Sequence, residues 1–126
     1  VSLLPAGARA HSRVDNSPEG IAQRVRKHLA SARAHFRTGE FDQAAKEWKL
    51  AYKLKPIPVL QFNLGQAYRL GGHYAAARFA YRQYLQEKPD APNRAEALSR
   101  IRLMTRYLHH PPKGAPSGAS TAQGAQ

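Results

Sequence analysis

The sequence predicts an all-α fold, a short solenoid of two stacked helix hairpins closed by a fifth helix. Three observations lead there. First, two stretches repeat each other at a spacing of 33 residues: Gly39, Phe41, Ala44, Trp48, Ala51 and Pro56 match Gly72, Tyr74, Ala77, Tyr81, Tyr84 and Pro89. Upstream, Ala32, Ala34 and His35 align with Gly65, Ala67 and Tyr68. A fixed period in the thirties marks a copied supersecondary unit that buries its apolar face against its neighbour. Second, apolar residues inside each copy recur at helical spacing. Third, glycine and proline punctuate the copies where helices must stop.

The first helix is expected from about Glu19 to Arg37. Ser17-Pro18-Glu19 opens it with a capping hydroxyl, a proline whose missing N–H costs nothing, and an early acid. A Thr38-Gly39 turn leads to a second helix from Phe41 to Leu54. In the second copy Pro58 suits a first helical position, and Leu60, Leu64, Ala67 and Tyr68 share one side of a helix. Gly71-Gly72 stops that helix. The next starts near Tyr74, with Ala77, Tyr81, Tyr84 and Leu85 at helical spacing, and Pro89 ends it. The small residues Gly65, Ala67 and Ala77 fall where antiparallel helices approach closely, with tyrosines filling the space beside them. A fifth helix from Asn93 to about Leu108 carries the stripe Leu98, Ile101, Met104, Tyr107 and Leu108.

The expected organisation is a 1–18 arm, a 19–108 helical domain and a 109–126 tail. The domain holds copies at about 25–57 and 58–91 and a closing helix at about 93–108. The tail is Pro, Gly, Ala, Ser and Gln with Lys113 its one Lys or Arg, a composition expected to be disordered. In the arm, the apolar Val1-Ser2-Leu3-Leu4 run, the Pro5-Gly7 break and the small-x-small Ala8-Arg9-Ala10 resemble the end of a secretory signal, or else form an ordinary flexible arm. The first alternative would place the protein in a bacterial periplasm or envelope, the second in the cytoplasm. No stretch is long enough to span a membrane.

These residues together resemble the tetratricopeptide repeat family. The second copy carries Asn63-Leu64-Gly65-Gln66-Ala67-Tyr68 with Gly72, Tyr74, Ala77, Tyr81 and Pro89. The first keeps Ala32, Gly39, Phe41, Ala44, Trp48, Ala51 and Pro56 but has Ser31 and His35 in place of Leu64 and Tyr68. Tyr84 stands where the family has a small residue. The resemblance covers about Val25 to Ala91. It implies a right-handed solenoid, a closing helix over the exposed end, and a concave groove lined by the first helix of each unit. It also implies a module for protein–protein interaction with no cofactor.

Charge sharpens the expectation. The 126-residue chain carries a net charge of +12, and residues 21–108 account for +11 of it, with 17 Lys and Arg against 6 Asp and Glu. A domain this basic attracts acidic partners, with a strength that salt weakens. On the family's pattern, Arg26, Arg33 and Arg37 would point into the groove from the first unit. Phe62, Asn63, Gln66 and Arg69 would do so from the second, and Arg100 from the closing helix. Guanidinium forks hold carboxylates in two-point fashion, and amides satisfy a peptide backbone, so the expected ligand is an acidic or carboxylate-bearing peptide. Some relatives clamp a terminal carboxylate with a lysine, asparagine and arginine set. Asn63 matches that pattern, while the corresponding slots of the flanking helices hold Leu29, Asn93 and Ala97. The arginines and Asn63 also have plainer readings, as a solubilising surface and a structural amide. Lys46, Lys49 and Lys53 read as a solvated face, and Trp48 as core.

Two other classes of function fit the same composition. One is an anionic-polymer binder, for nucleic acid or an acidic envelope component, for which the sequence supplies charge but no recognition motif. The other is a subunit whose hairpins stack between chains, since two copies are fewer than the three a stack usually needs. Catalysis is not expected. The acids are scattered at helix ends, Ser31, Ser99 and Thr105 have no neighbouring base, and His109-His110 has no further metal ligands at a defined spacing. The absence of cysteine excludes disulfides.

Overall fold

The computed structural model describes residues 13–116. Over these residues the protein is all-helical, with five helices and no strand: α1 (Pro18–Arg37), α2 (Phe41–Leu54), α3 (Val59–Leu70), α4 (Tyr74–Glu87) and α5 (Arg94–His109). The signal-like segment ending at Ala10 and the end of the tail, 117–126, lie outside the described residues. No helix among them is long and apolar enough to cross a membrane.

Local chemistry sets the helix ends. The Ser17 hydroxyl caps α1 by accepting the Gly20 N–H at 3.1 Å, which satisfies one of the first-turn donors that have no partner inside the helix. Glycine at position 20 leaves the space this cap needs: a Cβ there would run into the Asp15 side chain and carbonyl. Pro58 adopts helical angles but stands as the cap of α3, which begins at Val59. His109, assigned to the tail from sequence, is the last residue of α5. The chain beyond it carries a turn, with the Ala115 N–H donating to the Pro112 carbonyl.

The internal repeat is written into the backbone as well as the side chains. Gly39 and Gly72 hold left-handed angles, φ 79° and 82°, a conformation that costs glycine nothing. Around them the hydrogen bonds coincide at the same 33-residue offset. The Glu40 N–H reaches the His35 carbonyl at 2.9 Å, and the His73 N–H reaches that of Tyr68 at 2.8 Å. The Gly39 N–H donates to Phe36 and the Gly72 N–H to Arg69, both at 3.1 Å. These i-to-i−5 and i-to-i−3 closures tie off the otherwise unsatisfied carbonyls of α1 and α3.

Each helix packs on its neighbours in chain order, α1 on α2, α2 on α3, α3 on α4 and α4 on α5, an arrangement compatible with a short solenoid. The core is built of small and aromatic residues. Ala32, Ala44, Trp48, Ala51, Leu60, Leu64 and Ala67 join the first hairpin to the second. Tyr74, Ala77, Tyr81 and Met104 join the second hairpin to α5, and Met104 and Tyr81 are fully buried. Tyr84 fills the slot that Ala51 occupies in the first copy. Its hydroxyl donates to Asn93 Oδ1 at 2.6 Å, which fixes the entry into α5.

Candidate basic interaction face

The six acids of residues 21–108 mostly engage groups other than lysine and arginine. Glu47 Oε2 accepts from His28 Nδ1 at 2.6 Å, Asp42 Oδ1 from His73 Nε2 at 2.8 Å, and Glu40 lies 3.3 Å from His35 Nδ1 while accepting from the Thr38 hydroxyl at 2.6 Å. Those Thr38 and His35 contacts hold the Glu40 carboxyl below its ordinary range, because hydrogen bonds to a carboxylate favour its charged form. Glu87 accepts from Tyr52 at 2.6 Å and Gln83 at 3.0 Å. Among the described residues only Asp90 and Glu96 lie within ion-pair distance of a lysine or arginine, Lys88 and Arg100, each at 3.9 Å. The 17 lysines and arginines of this region therefore have almost no internal carboxylate partners.

Arg26, Arg33 and Arg37 recur along one side of α1 at i, i+7 and i+11. All three are exposed, and no ion pair among the described residues involves them. Unpaired guanidinium groups in a row keep their full charge and all five donors for a ligand.

The residues expected from α3 and α5 behave differently. Phe62 is half-buried, edge-on to Tyr81 at 5.5 Å and tilted against Tyr84 at 5.4 Å; it belongs to the packing of α3 against α4. Gln66 Oε1 accepts from the Tyr81 hydroxyl and from Arg69 Nη2 at 3.4 Å, while Arg69 Nε donates to the same hydroxyl at 3.2 Å. Arg100, from α5, and Glu96 also act on the Tyr81 hydroxyl. Burial pushes the Tyr81 phenol above its ordinary value, and the two arginines pull it part of the way back. Arg100 Nε is buried without a hydrogen-bond partner among the described residues, and an unmet donor is costly in a protein interior. Asn63 is half-buried inside α3, and among the side-chain hydrogen bonds of the described residues none involves it.

The structure thus brings Gln66, Arg69 and Arg100 together around Tyr81, with Phe62 as their packed border. It does not link that cluster to the α1 arginines by any hydrogen bond. Two of the slots flanking Asn63 point elsewhere: Ala97 is fully buried, and Asn93 is held by Tyr84. A lysine–asparagine–arginine clamp has no counterpart at those positions.

Two residues beside these positions, the buried Tyr81 and the exposed Val59, escaped the sequence reading. The Tyr81 hydroxyl lies in a repeat position that reads as core, so its polar end drew no attention. Val59, 46% exposed, stands one helical turn before Asn63 on the same side of α3. Its position at the start of the helix hid it from the periodic pattern. Among the described residues, no group of three or more His, Asp or Glu is placed to hold a metal ion. Comparison with protein-family models, with curated proteins and with solved structures finds no match to this chain.

Proposed function

We propose that this chain is a non-enzymatic, tetratricopeptide-like interaction module whose basic face binds an acidic, carboxylate-bearing segment of a partner protein. In this reading the family's concave face corresponds to the exposed sides of α1, α3 and α5. The supporting observation is the mismatch of charges: the acids are engaged by histidine and tyrosine, so Arg26, Arg33 and Arg37 stand unpaired in one row. An extended peptide laid across the helices would meet that row at one end. At the other it would meet the Gln66–Arg69–Arg100 cluster, with Val59 and Phe62 offering apolar contact. Arg69 orders the cluster through Tyr81, whereas the α1 arginines are free to bind.

The test is affinity capture from a nuclease-treated extract of the source cell, using the full chain beside its Arg26→Glu, Arg33→Glu, Arg37→Glu variant. Those three side chains are exposed, so the variant keeps the fold and the comparison reads the face alone. A protein retained by the parent and lost by the variant supports the proposal. Retention of the same proteins by both overturns it. Binding that disappears with nuclease or at moderate salt would instead mark an anionic-polymer binder.

A further inference from the structure

Helices α2 and α4 touch through the Tyr52–Glu87 hydrogen bond and the buried Ala80 but do not pack together along their length. Between them runs an open cleft of about 550 Å³, floored by Leu64 and Tyr68 of α3 and walled on one side by Ala76 and Phe79 of α4. Lys49 and Lys53 of α2 form the opposite rim. The sequence offered those lysines only as a solvated face. Leu64 and Tyr68 project from a different side of α3 than Asn63, Gln66 and Arg69, so the cleft is separate from the basic interaction face.

Phe79 is the most telling residue. It is 69% exposed, the most exposed large apolar side chain among the described residues, and it stands at the lip of a cavity lined mainly by alanine, leucine and tyrosine carbon. Its counterpart in the first copy, 33 residues earlier, is Lys46, so the repeat pattern does not call for an aromatic here. An exposed aromatic beside an unfilled apolar cleft is the usual anatomy of a binding hot spot.

We infer that this cleft is a second docking site, and that its occupant is an amphipathic acidic segment of a partner protein. Such a segment would insert apolar side chains between Phe79 and Leu64 and set carboxylates against Lys49 and Lys53. Charge decides among the occupants. A second copy of this chain would bring another +12 to a rim already carrying two lysines, and like charges oppose that docking. The chain's own apolar stretch, residues 1–10, carries Arg9 and no acid, so it too lacks the complementary sign. Neither lysine has a carboxylate partner among the described residues. Of the acids beside the cleft, Glu87 is held by Tyr52 and Gln83, and Asp42, whose charge acts on Tyr68, is held by His73.

The probe is a labelled helical peptide with leucines at i, i+3, i+4 and i+7 and glutamates elsewhere, titrated by fluorescence anisotropy into the full-length chain. A twin peptide carries lysine for every glutamate. We expect saturable binding of the acidic peptide alone, weakened at least about tenfold by Phe79→Gln, because truncating an exposed aromatic anchor removes a large part of such an interface. Lys49→Glu with Lys53→Glu should weaken it similarly and admit the lysine peptide instead. Since Phe79 is mostly exposed, its replacement should leave the melting curve unchanged, which separates lost binding from lost fold. The triple α1 arginine reversal should have little effect on this peptide. If that reversal abolishes binding while Phe79→Gln does not, the peptide occupies the basic face and the inference fails. It fails equally if neither peptide binds, if both bind alike, or if sedimentation shows a dimer that Phe79→Gln dissolves.

Discussion

Gly65→Ala probes the closest approach in the fold. A Cβ at Gly65 would sit 2.6, 2.7 and 2.9 Å from three atoms of the Tyr81 ring, well inside van der Waals contact. Tyr81 has little room to retreat: it is fully buried, and its hydroxyl is held by Gln66 and Arg69. Overpacking a well-filled core by one carbon costs about 1–3 kcal/mol. Against this, alanine is better than glycine inside a helix by about 1 kcal/mol. Because the ring is both enclosed and tethered, the upper part of the cost range applies, leaving a net loss of about 1–2 kcal/mol.

Urea denaturation followed by circular dichroism reads this directly. With a slope of about 1–2 kcal/mol per molar urea for a domain of this size, the midpoint should fall by roughly 1 M. The decisive arm repeats the substitution in a Tyr81→Leu background, where the ring is gone. There Gly65→Ala should become neutral or stabilising, since only the helix-propensity term survives. If the penalty were the same in both backgrounds, or absent in the parent, the proposed clash between α3 and α4 would be wrong.

Two further outcomes follow from the geometry. Ser17→Ala removes the hydroxyl that caps α1 and should cost about 1 kcal/mol, seen as faster hydrogen exchange in the first turn of α1 with the rest of the domain unchanged. Alkaline pH should destabilise the fold. Burial raises the Tyr68, Tyr74 and Tyr81 phenols above 10.0, and the Glu87 carboxylate raises that of Tyr52. Groups whose folded pKa is raised give stability that is complete below the unfolded value and lost as pH rises through the folded one. Melting temperatures should therefore decline as pH climbs past about 10.

Much of the architecture is legible because the repeat encodes it twice. Gly39 and Gly72 mark the same left-handed turn, Ala44 and Ala77 the same buried contact, and Trp48 and Tyr81 the same filled volume. Each assignment checks the other. What the sequence hides is the choice of partners. Nothing in the spacing of 31 residues between Asp42 and His73 says that they meet across two units, or that His28 and Glu47 join α1 to α2. Those pairings decide which cations stay free, so the division between the free Arg33 and the engaged Arg69 appears only in three dimensions. Tyr84 shows the same limit. As a departure from the small residue of the other copy it looks like a misfit, yet it packs in the core and holds Asn93. The cleft beside Phe79 was illegible for a related reason. Its walls come from different repeats, and each reads alone as an ordinary exposed helix face.

The basic interaction face is the central claim, and selection from a random peptide library against the full chain tests it most directly. Bound peptides should be enriched in Asp and Glu, bind more weakly in added salt, and be lost when Arg26, Arg33 and Arg37 are all changed to Glu. Enrichment without acidic character, or a selected set that the triple reversal leaves unchanged, would contradict it.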